Sequence, residues 1–238
     1  MTETEIKEGK ALVVGATGGM GRAVAMTLAR EGCELALLWR NAEATDKIAR
    51  QCRESGAAAH AVVCDIARID TIAPAVGEAI GKLGGLNYLV NCAGISPGEQ
   101  LHDSNLVNAE AILDTNLRAH LHLARHALAE INKASGGAVV KIGAVNWAYP
   151  GVSTYTAANR GGDGLAEAMF EDVREFGTRV CTIKPGWVNT KLVTEDHIDK
   201  NLMIQPADIA EAVLFVLKLP VTACVTEMTI LPQRSPYI

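Results

Sequence analysis

The chain has 238 residues and a net charge of −5, with 49% of its residues apolar and 21% charged. That balance gives no basic surface for nucleic acid and no run of the roughly 20 apolar residues a membrane span needs, and the length suits a single domain over residues 1–238. The polar, acidic opening M-T-E-T-E-I-K-E-G-K has the wrong chemistry for a signal or transit peptide, so a cytoplasmic protein with a flexible tail over residues 1–8 is expected, acting on a small molecule. Apolar strand-like runs near 11–14, 35–39, 59–63, 87–90, 137–142, 179–183 and 226–231 alternate with segments of helical period. The pattern predicts an α/β fold, a doubly wound parallel sheet of about seven strands with helices on both faces.

The first strand breaks into G-A-T-G-G-M-G, with Gly15, Gly19 and Gly21 set around Thr17 and Met20, before a helix-favouring stretch resumes. Small residues there let the backbone approach a pyrophosphate, and the unpaired N–H groups of the following helix bind its charge. The second strand ends in Trp39, Arg40 and Asn41, with no carboxylate to accept bonds from ribose hydroxyls and with a guanidinium able to grip a 2′-phosphate, which favours NADP(H) over NAD(H). Asp65 and Ile66 follow the third strand, and Asn91-Cys92-Ala93-Gly94 follows the fourth. Asn116 falls inside a long helix near 105–133. A further helix near 154–176 opens with Tyr155-T-A-A-Asn159 and carries Gly161, Gly162 and Gly164, whose cost to helix stability points to close packing against another helix. Pro185-Gly186-Trp187-Val188-Asn189-Thr190 follows the sixth strand, and a last helix runs from Pro206 and Asp208 to Pro220.

These motifs, in this order and at these separations, resemble the short-chain dehydrogenase/reductase family over essentially the full length. The resemblance implies that Gly15, Gly19 and Gly21 form the pyrophosphate turn, that Asp65 accepts a bond from the adenine amino group, that Asn91, Ala93 and Gly94 lie against the ribose, and that Pro185 to Thr190 hold the nicotinamide amide. It also implies a homo-tetramer or homo-dimer. Tyr155 would be the proton donor or acceptor, and Asn116 would anchor a water relay.

Two positions depart from the family pattern. The strand that should end in a substrate-polarising serine reads K-I-Gly143-Ala144, and Asn159 stands where a lysine would lower the tyrosine pKa and hold the ribose. Arg160 lies about 100° further around the helix and does not substitute. A lysine about 4 Å from the phenolate is worth about 4 kcal/mol at an effective dielectric near 20, roughly three pKa units, so Tyr155 is expected to titrate near its free value of about 10. Asn159 can still bond ribose hydroxyls, and Asn146, ahead of Thr154, is the expected donor to a substrate oxygen. Ala144, Asn146, Trp147 and Tyr149 are the expected substrate wall. Two function classes follow: an NADP(H)-dependent reductase of a ketone or aldehyde with an atypical site, or a cofactor-binding protein without redox turnover, regulatory or catalysing a non-redox isomerase or lyase step.

Other features read blandly. The cysteines at 33, 52, 64, 92, 181 and 224 are far apart and read as reduced interior thiols. His122 and His126 share a helix face without further ligands, so no metal is expected. Lys141, in a strand that should be buried, has no role in this reading.

Overall fold

Seven segments become parallel strands, the central ones buried on both faces and the edge strand β7 with no buried residue: β1 (Lys10–Val14), β2 (Glu34–Trp39), β3 (Ala59–Val63), β4 (Tyr88–Asn91), β5 (Ala138–Ile142), β6 (Arg179–Pro185) and β7 (Glu227–Ile230). The computed structural model describes residues 6–96, 99–193 and 197–237. The order is β3-β2-β1-β4-β5-β6-β7, a Rossmann-type doubly wound sheet whose switch point lies between β1 and β4, where a ligand crevice opens beyond the carboxyl ends of the strands. Every strand ends within two residues of its expected place.

Side-chain alternation along the strands builds two cores. Val13, Leu37, Val90, Val140 and Ile183 pack under α1 (Gly19–Arg30), α2 (Ala42–Glu54) and α7 (Pro206–Lys218). Leu12, Leu38, Leu89, Val139 and Val180 pack under α3 (Ile72–Leu83), α5 (Ala119–Ile131) and α6 (Ser153–Val173). On this second face the apolar row gives way, two residues further along, to Asn91, Lys141 and Thr182, which pair side by side across β4, β5 and β6 and are all buried.

The helix expected near 105–133 is α4 (Leu106–Leu113) running into α5 through a π-helical turn, Asp114–Arg118, that carries Asn116. Such turns often mark functional sites. The tail expectation fails for residues 6–8: Ile6 is buried, its carbonyl accepts from Cys33 Sγ at 3.2 Å, and Glu8 N donates to Gly32 O at 3.0 Å. Residues 1–5 lie outside the described residues. The helical glycines also divide by cause. A Cβ on Gly161 would meet Leu117 of the neighbouring helix at 3.1 Å, as expected, whereas one on Gly162 would meet Lys141 Cε at 2.7 Å, and one on Gly164 would meet nothing within 4 Å. Among the described residues no helix is long and apolar enough to cross a membrane.

Candidate active site

The turn after β1 is built for backbone to come close. Gly15 has φ +76°, and its N–H donates to Leu38 O at 3.0 Å. A Cβ there would lie 2.9 Å from Ala93 N, one on Gly21 would lie 2.2 Å from Gly15 O, and one on Gly19 would lie 2.9 Å from Thr190 Cγ2 across the cleft. The first turn of α1 has no side-chain cap and no acidic residue, so its N–H groups and the positive end of its dipole are left for an anion. These residues fit a pyrophosphate, and Thr17 sits half-buried on the same turn. At the end of β4, Asn91 Oδ1 accepts from Ala93 N at 3.0 Å, which holds the strand-end turn against Gly15.

Beyond this turn lies a cavity of about 280 Å³. Met20, Ala93 and Gly94 line its end nearest the glycine turn, while Pro185, Gly186, Val188 and Thr190 form the wall after β6. Tyr155, Asn159, Asn116, Ala144, Trp147 and Tyr149 also line it, and so does Lys141 at the end of β5. Asn116 holds Ile95 at both main-chain groups, accepting from its N–H and donating to its carbonyl, each at 2.9 Å. Asn159 is buried and its Nδ2 donates to the Tyr155 main-chain carbonyl at 3.0 Å, so this amide folds back on its own helix.

Other expected residues stand elsewhere. Arg40 is exposed, with its guanidinium 5.5 Å from the centre of the Trp39 ring, and Asn41 caps α2 by accepting from Ala44 N at 2.8 Å. Asp65 Oδ1 accepts from Ala67 N at 3.3 Å as a turn former, and the Ile66 side chain is buried in the core. Asn146 is not in the cavity wall: its Nδ2 donates to Asp163 Oδ2 at 2.9 Å, so the amide expected to meet a substrate oxygen is engaged inside the protein. Tyr155 also departs from expectation. Its pKa is raised above the ordinary phenol value by burial and by Tyr149 nearby, against the lowering influence of the Asn159 amide.

A family model described as short chain dehydrogenase matches residues 9–201. The chain belongs to that family. An uncharacterized oxidoreductase of Staphylococcus epidermidis is 27% identical over 96% of this chain and 99% of its own length. The human 3-oxoacyl-[acyl-carrier-protein] reductase is 30% identical over 87% of this chain and 90% of its own. A short chain dehydrogenase from Burkholderia cenocepacia, solved in complex with NADP, superposes with a TM-score of 0.88 at 26% identity, covering 95% of this chain and 98% of that one.

In this short chain dehydrogenase, several cavity residues carried no signal that sequence reading used. Ile95 and Ser96 extend the β4 loop, Lys141 stands at the end of β5, and Leu192 and Val193 extend the β6 loop past Thr190. That second loop is shaped by the long-range bridge Val188↔Ile204 and by Trp187 Nε1 donating to Tyr237 Oη at 2.9 Å. A buried polar layer runs under the cavity and reaches it at Lys141, which lines the wall. His120 is fully buried, its Nδ1 3.4 Å from Asn91 Nδ2, and its pKa is lowered to about 3 by burial and by the Lys141 charge. Lys141 is itself lowered by burial and by Lys184, with Asp163 opposing. The described residues contain no cluster able to hold a metal, and His122 and His126 have their ring centres 6.3 Å apart on α5.

Proposed function

We propose that this short chain dehydrogenase is an NADP(H)-dependent oxidoreductase that reduces a ketone or aldehyde to an alcohol, or runs the reverse. The observation that carries the reading is the Tyr155 phenol, which lines the cavity with its pKa raised. Such a phenol holds its proton at neutral pH and can donate it to a carbonyl oxygen, whereas oxidation needs the phenolate as base. A nicotinamide bound in the cleft supplies or takes up the hydride. Gly15, Gly19, Gly21 and the first turn of α1 would hold its pyrophosphate, and Pro185 to Thr190 the nicotinamide amide. NADP(H) is favoured because Arg40 stands where a carboxylate would repel a 2′-phosphate, and the Burkholderia relative was solved with NADP. We place the protein in the cytoplasm as a homo-tetramer or homo-dimer, a reading supported by Leu106, Val107 and Leu121 standing exposed on α4 and α5.

The test is NADPH consumption across a panel of ketones and aldehydes, with Tyr155→Phe beside the wild type. Turnover in the wild type that Tyr155→Phe abolishes is the expected result. A second reading is favoured by Ala144, which offers no hydroxyl, and by Asn159, which offers no cation: a cofactor-binding protein without redox turnover. NADPH binding with no consumption on any carbonyl would establish it instead.

A further inference from the structure

Asp163 lies one turn beyond Asn159 on α6 and is 8% exposed. Its Oδ2 takes Lys184 Nζ at 3.1 Å and Asn146 Nδ2 at 2.9 Å, and its Oδ1 faces Lys141 Nζ at 3.6 Å. Lys184 also pairs with Glu227 at 2.5 Å. Lys141, which also lines the cavity, fits there because Gly162 and Gly143 leave room: a Cβ on either would lie 2.9 Å and 3.1 Å from its Nζ. A buried ion pair of this kind roughly breaks even in stability against apolar residues of similar volume. The cluster therefore calls for a consequence other than stability.

That consequence lies in the segment between β5 and α6. Residues 143–152 form neither strand nor helix, and Trp147 and Tyr149 on it line the cavity while standing about half exposed. Asn146 is where α6 grips this segment. Asp163 takes its side-chain amide, and Arg160 Nη2 donates to its main-chain carbonyl at 3.3 Å. Both grips come from the helix that carries Tyr155, so the wall and the proton donor share one support.

We infer that Asp163, held between Lys141 and Lys184, is a positioning residue for the substrate wall: through Asn146 it fixes the segment that presents Trp147 and Tyr149 to the carbonyl substrate. The word substrate rests on the oxidoreductase reading above, but the order of the segment is measurable without turnover. Three proteins suffice: wild type, Asn146→Ala, which leaves the ions intact, and Lys141→Met/Asp163→Leu, which removes the grip together with the Lys141 charge and leaves Lys184 its second partner, Glu227. Chymotrypsin under native conditions, with cleavage after Trp147 followed by mass spectrometry, should act about tenfold faster on both variants, the factor that about 1.4 kcal/mol of lost ordering represents. KM for the carbonyl should rise about tenfold in both, with kcat and NADPH affinity little changed in Asn146→Ala, which alters no residue of the cavity wall. Wild-type cleavage and wild-type KM in both folded variants would overturn the inference. Accelerated cleavage with no carbonyl turned over by any of the three proteins would uphold the clamp and overturn only the oxidoreductase reading.

Discussion

Tyr155 has no cation one turn further along its helix. The residue one turn on is an amide turned to the main chain, and burial lifts the phenol further from neutrality. The sign follows directly. Because the folded pKa lies above the ordinary phenol value, the base form is scarce below about pH 10, so oxidation of an alcohol should climb steadily into the alkaline range while reduction stays active at neutral pH. A pH–rate profile of both directions checks this, and a profile for oxidation that levels off near neutral pH would show that another group is the base. At the other end of the cleft, Arg40→Ala should cost about 1.5 to 3 kcal/mol of NADPH binding, by loss of a charge-assisted contact, and leave NADH unaffected. Fluorescence titration with each cofactor measures the difference, and equal affinities in the wild type would remove the argument.

At the scale of elements, α6 separates two kinds of glycine. In Gly162→Ala the new methyl would press on Lys141 Cε at 2.7 Å and push the ammonium off Asp163, costing about 1 to 3 kcal/mol as overpacking does. Gly164→Ala meets nothing and should gain about 0.5 to 1 kcal/mol of helix stability. Thermal or urea unfolding of the two variants should therefore shift in opposite directions. The strands and the glycine turn were legible in the sequence because each is a local pattern: an apolar run buried on both faces, or small residues at a fixed spacing. Lys141 was not, because what explains it is remote, with Gly162 and Asp163 lying more than twenty residues further along the chain. Asn146 was misplaced for the same reason. Its residue type suggested a donor to a substrate, but only the folded α6 reveals the carboxylate that takes its amide. The cavity wall after β6 depends on pairing with Ile204 and Tyr237, which no spacing announces.

For the whole molecule, the parallel order puts every expected cofactor motif at the carboxyl ends of the strands on one edge of the sheet. The opposite concern is what the outer helices cover. Leu106 and Val107 are 70% and 72% exposed, an apolar pair that a lone subunit leaves in water at the start of α4. Light scattering at micromolar concentration should report a dimer or tetramer, and Leu106→Asp with Val107→Asp should shift it toward monomer. A wild type that scatters as a monomer at that concentration would count against the assembly and leave those residues without an account.

The ions under the cavity also set an order in which this site can be rebuilt. Asn159→Lys would place a third ammonium around the single carboxylate of Asp163, four residues along the same helix face from it. Three cations would then face two carboxylates, Asp163 and the Glu227 that pairs with Lys184, in a region where an unpaired charge is costly. The lysine of strand β5 and a lysine at position 159 are thus alternatives, and a mutational path between them is passable in one direction only. Lys141→Met made first should open the way for Asn159→Lys and Ala144→Ser. Asn159→Lys made first should lower the melting temperature by several degrees, and Lys141→Met added afterwards should restore it.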